Sequence, residues 1–509
     1  MNALRYVPKT AILVGWDFST GGVKGLVFDL AGNTLADVRL PTDLWTEGGV
    51  NELNLMQLEG QVHATVRAIT GKLRDLGRLT DWLAAGISAT HHTAGRLDAA
   101  HNQVRRAICW NDHSLAAYHQ RGLARLGGQA GVRQRIGGPW AIRYSLSHLV
   151  KDETTLAEAD WQRTHRILSH GSLAAGYLTG NFDVSSISSA ASSGILDLRS
   201  GQWRRDMLDA LERSDYRELA WQQLPRLVEY TEPVGPLAPW LCREVGIDEA
   251  RAPLIFPTND DQQAGLVGGG AVEPGHLAVI LGNSAVVNSS SATLPTTDDL
   301  DAMKLNWGPY LWMRCYNNGA LFLDRVVGPN PDWARLEAEA LLIPPRCEGL
   351  NVLPFIQPEP ALGVSAPRFA WTPREDASPG RRFRAALEAL AYLIALGVRQ
   401  HEQAGQRISQ VSVSGGIARS DLMCEILAST LGRTLERLVS DEGPALGAAA
   451  TALAALETHY RRTQGEMEPF TVADAVRTMV RFKSPVHPNP AWREAYAAGL
   501  SDFEASLRA

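Results

Sequence analysis

Apolar residues along this chain follow two rhythms. Short unbroken runs read as buried strands, and stripes at steps of three and four read as helices. Residues 11–16 (Ala-Ile-Leu-Val-Gly-Trp) form the first run and 23–29 the second. The turn residues Ala31-Gly32-Asn33 lead into a third run over 34–40, so the spacing predicts a meander of three strands. Strands are also expected over 82–88 and 104–110. The opening pattern returns in mid-chain, where 276–281 reads as a strand, Gly282-Asn283-Ser284 as a tight polar turn and 285–288 as a second strand. That repetition predicts two similarly built domains, 1–264 and 265–509, joined through the Gly-rich stretch 265–275. Ser378-Pro379-Gly380 opens a helix whose stripe is Phe383, Leu387, Leu390, Ile394 and Val398. A short strand over 411–413 runs into Ser414-Gly415-Gly416, with a helix over 421–431 behind it. Paired glycines between strand and helix let the backbone approach a phosphorylated or planar ligand. Gly443-Pro444-Ala445-Leu446-Gly447-Ala448 begins a small-residue helix suited to close packing. The stretch 185–193 holds six serines in nine residues and reads either as a flexible linker or as a strand and turn lining a cleft.

Composition narrows the classes. At 509 residues the chain is too long for one ordinary domain, and 45% hydrophobic residues provide for a full core. A net charge of −6 lacks the basic excess of a nucleic-acid-binding protein. Five scattered cysteines, none paired as C-x-x-C, read as reduced thiols. Residues 1–10 hold no apolar stretch of signal-peptide length. The longest greasy run, 445–456, is about half the ~20 residues of a membrane span. A cytoplasmic protein with neither nucleic acid nor membrane as partner is expected.

Several segments carry candidate chemistry. Asp17-Phe18-Ser19-Thr20-Gly21-Gly22 puts one carboxylate and a row of backbone N–H groups at a hairpin tip, with Lys24 close behind; this suits phosphate plus a metal ion. An Asx turn is the alternative for Asp17. Thr258-Asn259-Asp260-Asp261-Gln262-Gln263 sets two carboxylates beside amides, able to orient and deprotonate an alcohol or simply to cap a helix. His91-His92 follows a strand; adjacent side chains are expected to point different ways, which makes a poor metal pair. Trp110-Asn111-Asp112 offers a flat apolar wall next to directional acceptors, as a polyol requires.

Taken together and in order, these segments resemble the FGGY carbohydrate kinase family, closest to its xylulose kinases. Asp17, Thr20 and Lys24 match the first phosphate loop, D-x-G-T-x-x-x-K/R, with Ser19 in place of Gly. Residues 88–93 stand where xylulose kinases carry S-G-Q-M-H-G, with His92 at the motif His and His91 at the Met. Trp110-Asn111-Asp112 matches W-N-D, residues 261–264 match D-Q-Q-A, and Gly282-Asn283-Ser284-Ala285 matches the second loop, G-T-S-G. Residues 415–420 match the adenosine segment G-G-G-A-x-S, and 442–449 match E-x-x-A-L-G-A-A. Phe182-Asp183-Val184-Ser185 lacks the Thr of T-D-x-S, Ser145-Leu146-Ser147-His148 replaces K-L-x-W, and only Pro358-Glu359-Pro360 remains of G-E-R-T-P.

The resemblance implies an α/β fold of two ribonuclease-H-like, actin-like ATPase domains around a central cleft. It implies ATP and Mg²⁺ as cofactors and a small-molecule sugar as partner, most closely D-xylulose, and it leaves room for a homodimer. Asp261 would be the base and Asp17 the metal carboxylate; His91, His92, Trp110, Asp112 and Gln262 would contact the sugar. Thr20, Gly21, Lys24, Gly282 and Asn283 would hold phosphates, and Gly319, Gly415, Gly416 and Ser420 would shape the nucleotide pocket. A kinase for another pentulose, polyol or hexulose, a weakly active sugar-binding regulator, and an actin-like ATPase acting on proteins are the competing readings.

Overall fold

A computed structural model describes residues 3–373 and 376–508. The start of the N-terminal stretch read for targeting therefore lies outside the described residues. The chain forms two compact units. The first holds the described residues through Gly268 together with Ala302–Leu311 and Pro444–Val480; the second holds Gly269–Asp301, Trp312–Gly443 and the described residues from Arg481.

In the first unit, strands β1 (Ile12–Phe18), β2 (Gly22–Phe28) and β3 (Thr34–Pro41) make the expected antiparallel meander. Strand β4 (Trp82–Ala89) lies parallel to β1, and β5 (Leu254–Ile255) parallel to β4. The order is β5-β4-β1-β2-β3. Ile12, Leu13 and Val14 are all buried, so both faces of β1 are covered, which explains its unbroken apolar run. Helix Leu55–Asp75 covers one face with Leu58, Val62, Val66 and Ile69, which share the core with Val14 and Trp16. Helix Gly443–Thr463 lies on the sheet through glycines: a Cβ on Gly15 would stand 1.9 Å from the Ala445 carbonyl oxygen, and one on Gly86 2.0 Å from that of Ala448. Only a bare Cα permits that approach.

The second unit repeats the arrangement. Strand β6 (His276–Leu281) pairs antiparallel with β7 (Ala285–Ser291), beside which lies β8 (Tyr310–Tyr316). On the other side, β9 (Gln410–Ser414) and β10 (Glu436–Arg437) run parallel. The order β8-β7-β6-β9-β10 reproduces that of the first sheet. Helix Pro379–Gln403 starts at Ser378, whose side chain accepts from the Arg381 N–H, and sinks Phe383, Leu387, Leu390, Ile394 and Val398 into the second core.

The serine-rich stretch is not a linker. Val184–Ser186 is a strand and Ile187–Ala191 a short helix, both largely buried. Its hydroxyls find partners on neighbouring segments, Ser189 with Thr258 at 2.8 Å and Ser185 with Ser172 at 2.9 Å, which is what allows so polar a run inside. Among the described residues no helix is long and apolar enough to cross a membrane.

Candidate active site

Three strand ends build the site of the first unit. Asp17 on β1 is in register with Ser88 on β4, and Ser88 with Asn259 of the two-residue strand Asn259–Asp260. These strands are parallel, so their C-terminal loops leave the sheet on one side, where α/β folds place ligands. Ser88 Oγ donates to Asp17 Oδ1 at 2.8 Å and fixes that carboxylate. The β1–β2 turn is tied by Ser19 Oγ donating to the Gly22 carbonyl at 2.8 Å, leaving Thr20 and Gly21 at the tip and Lys24 opposite Asp17 across the hairpin. Trp110, 41% exposed, points its indole N–H at Thr20 Oγ1 from 3.4 Å. Asp112 is buried and braced from within, accepting from the Ser114 N–H at 2.7 Å with Lys151 Nζ at 3.4 Å.

The two adjacent carboxylates have different surroundings. Asp260 is buried and does the capping: Oδ1 accepts from the Gln263 N–H at 2.8 Å, Oδ2 accepts from Ser188 Oγ, and the Asp260 N–H donates to Ser188 Oγ at 3.0 Å. Asp261, the first residue of helix Asp261–Gly268, has a buried Oδ1 with no hydrogen-bond partner, yet its side chain is 30% exposed. One oxygen is thus sheltered while the group keeps an open side. Burial pushes its carboxyl up to about 6; His91 opposes that, and the charges of Asp260 and Asp17 add to it. Gln262 follows, half-buried. Gln263 is structural, its Oε1 accepting from the Asn306 N–H at 3.0 Å, and Asn306 Oδ1 in turn accepts from the Ser188 N–H at 2.9 Å. Sequence reading missed Ser188 and Asn306. The serine run pointed toward the first; no local signal marks the second.

The histidines do not diverge. Their rings stack at 4.4 Å and 18°, and Tyr144 stacks on His92 at 4.4 Å and 15°. The expected divergence assumed extended backbone, whereas His92 takes φ +61°, a left-handed turn that brings both rings to one side. His92 Nδ1 lies 2.8 Å from the Ser192 carbonyl oxygen; a carbonyl only accepts, so Nδ1 carries the proton and the buried, unpartnered Nε2 is an acceptor. Burial, and then the charge of His91, hold His92 well below the ordinary histidine value, so the ring is neutral. For His91, burial works against charge, but Asp260, with Asp261 behind it, prevails and raises the value.

In the second unit the two β–turn segments meet around a cavity of about 790 Å³ lined by Gly282, Asn283, Gly416 and Ser420, with Leu323, Trp333, Phe383 and Ile417 as apolar walls. A Cβ on Gly319 would lie 2.5 Å from the Gly282 carbonyl oxygen, and Gly415, at φ +97°, would set one 2.4 Å from that of Leu281. Ser420 caps helix Asp421–Leu431, accepting from the Met423 N–H at 3.0 Å, and donates to Glu337 at 2.8 Å. Glu359 is buried beneath this region; it accepts from the Asn317 N–H at 2.7 Å and from Asn318 Nδ2 at 3.2 Å, and burial pushes it up to about 7. It holds the turn that delivers Gly319. Glu337 and Trp333 belong to an ordinary helical stripe and carry no motif, so nothing in the sequence set them apart.

Residues 12–268 match the N-terminal domain of the FGGY family of carbohydrate kinases, and residues 338–456 match its C-terminal domain. The chain is 28% identical over 462 residues to the xylulose kinase of Escherichia coli (strain K12), covering 86% of this chain and 89% of that one. It is 24% identical over 479 residues to the glycerol kinase of Gloeobacter violaceus, covering 86% and 87%. The crystal structure of a xyloylose kinase from Brucella ovis superposes with a TM-score of 0.81 at 22% identity, covering 97% of this chain and 98% of the other, and shows the same two-domain, actin-like fold.

Proposed function

This chain belongs to the FGGY family of carbohydrate kinases, and on that premise we propose that it transfers the γ-phosphoryl group of ATP to a ketopentose, D-xylulose giving the 5-phosphate, with Asp261 as the base. The observation that carries this reading is the presence of two buried, unsatisfied acceptors, Asp261 Oδ1 and His92 Nε2, on two residues that both neighbour His91. A buried acceptor without a donor costs stability unless something supplies the donor, and a sugar presents a row of hydroxyls. Similarity of residues 88–93 to the sugar segment of xylulose kinases favours a ketopentose.

In this reading Asp261 accepts the hydroxyl proton as the sugar oxygen bonds to the γ-phosphorus and the bond to ADP breaks. A carboxyl near 6 is ionised at neutral pH yet basic enough to take up that proton. His92 Nε2 accepts from a second hydroxyl, and His91, Trp110, Asp112 and Gln262 complete the sugar side. Thr20, Gly21, Lys24, Gly282 and Asn283 hold phosphates, while Gly319, Gly415, Gly416 and Ser420 shape the nucleotide pocket. The cavity of the second unit has the volume of a small-molecule site, and its glycines leave the room a side chain would fill. Asp17, a single carboxylate fixed by Ser88 near the end of β1, fits Mg²⁺, which is often bound by one or two carboxylates plus substrate phosphates. When bound, that ion supplies charge neutralisation on the phosphates. The division of labour assigns the sugar, the base and one phosphate loop to residues 1–264, and the other phosphate loop and the nucleotide pocket to 265–509.

A coupled ADP-release assay across pentuloses, hexuloses, pentitols and glycerol tests the proposal. D-Xylulose should give the highest kcat/KM. Preference for glycerol would replace the substrate; sugar-independent turnover stimulated by peptide would replace the whole reading.

A further inference from the structure

His91 faces a carboxylate with each ring nitrogen. Nε2 lies 3.1 Å from Asp260 Oδ1, an ion-pair distance without the alignment of a full hydrogen bond, and Nδ1 lies 3.7 Å from Asp261 Oδ1. The ring is buried and lies flat against His92, which is itself backed by Tyr144, so packing on one face restricts its rotation. One ligand atom each from His91, Asp260 and Asp261 lies within 4.8 Å of the others, close enough for a shared cation, but the closest approach to each carboxylate uses a different ring nitrogen, which favours a bridging imidazolium. We propose that His91 is a positioning residue for the transfer step: as an imidazolium it spans Asp260 and Asp261, cancels the repulsion between adjacent carboxylates and keeps Asp261 ionised and able to accept a proton. This deepens the reading of Asp261 as the base and rests on it.

The charges around the ring are consistent with that role. Asp260 and Asp261 face it directly, and Asp17 acts on Asp261 from β1. Arg143 is a cation whose charge works against that of His91. His92 is neutral and adds no competing charge. Without His91, burial and two neighbouring carboxylates would act on Asp261 with little opposition, and a base must be unprotonated to work.

The test is His91→Gln, which keeps a polar side chain and removes the charge. With D-xylulose and Mg·ATP, the acid limb of the kcat–pH profile should move up by about one to two pH units, the usual effect of losing an opposite charge within a few ångströms. With the wild-type limb near 6, that shift leaves the variant about 3- to 25-fold below wild type at pH 6.5, and it should recover most of that by pH 9. An unmoved limb with only a raised sugar KM would make His91 a plain sugar contact and overturn the proposal. Nitrogen-15 NMR of histidine-labelled wild-type protein, without sugar, should find both His91 ring nitrogens protonated at pH 7. A neutral His91 there overturns the proposal even if the variant fails to fold or D-xylulose is not turned over. The kinase reading fails separately, if wild type releases no ADP with any sugar tested or if Asp261→Asn stays fully active.

Discussion

Replacing Asp261 by asparagine removes the proton acceptor and keeps its shape. The sheltered oxygen already lacks a partner, so no protein hydrogen bond to it is lost and sugar affinity should change little. What disappears is a base worth roughly 10²- to 10⁴-fold in turnover. The structure adds a second signature. With the carboxyl pushed up to about 6, the wild-type base is about nine-tenths ionised at pH 7 and about one-eleventh at pH 5, so kcat should fall about tenfold between them. The sign follows from the role: the ionised form works, so activity rises with pH through 6. Asparagine does not titrate, and the residual activity of Asp261→Asn should lose that limb. Asp260→Asn is the control, because asparagine still caps the helix, and it should be much milder. Steady-state ADP release, with kcat and both KM values at each pH, reads all of this. Loss of turnover in Asp260→Asn with Asp261→Asn intact would shift the base by one residue; a pure KM effect in Asp261→Asn would leave Asp261 only a binding group.

His92→Ala should raise sugar KM far more than ATP KM, by the about 1–3 kcal/mol that an unpaired buried hydroxyl costs, and equal effects on both substrates would point to folding instead. Asp17→Ala should lower kcat by about 10²-fold or more and demand more Mg²⁺, with sugar affinity by calorimetry near native; normal turnover at ordinary metal levels would remove Asp17 from the site. Gly319→Ala should weaken ATP binding by about 1–3 kcal/mol, because its methyl group meets the Gly282 carbonyl and must displace the turn, while sugar affinity stays unchanged; an unaltered ATP KM would show that the turn yields freely.

Local chemistry made much of the fold legible. The hairpins at 12–28 and 276–291 were readable because strands covered on both faces lose their polar alternation, and the more open third strand Thr34–Pro41 was marked by the Ala31-Gly32-Asn33 turn before it. Helix Asp421–Leu431 fell where Ser420 caps it. The left-handed turn at His92 was not readable, since φ is set by what surrounds a residue and histidine does not announce it. Capping and base roles were both foreseen for the Asp260–Asp261 pair, but only packing against Ser188 assigns the cap to Asp260. Helix Gly443–Thr463 was read with the C-terminal half, yet it lies on the first sheet, because contacts between positions more than 350 residues apart leave no trace in a local pattern.

That helix also sets a schedule. Roughly 175 residues separate Gly268 from Gly443, which a ribosome needs about 9–35 s to add at 5–20 residues per second. Until then the face of the β1–β4 sheet at Gly15 and Gly86 has no cover. The chain's beginning waits as well, since Glu457 of the same helix accepts the backbone N–H groups of Arg5, Tyr6 and Val7. A growing chain therefore carries an open apolar sheet through a third of its synthesis, exposed to other chains and to holding chaperones. A truncation ending near residue 268 would keep that exposure permanently and should aggregate.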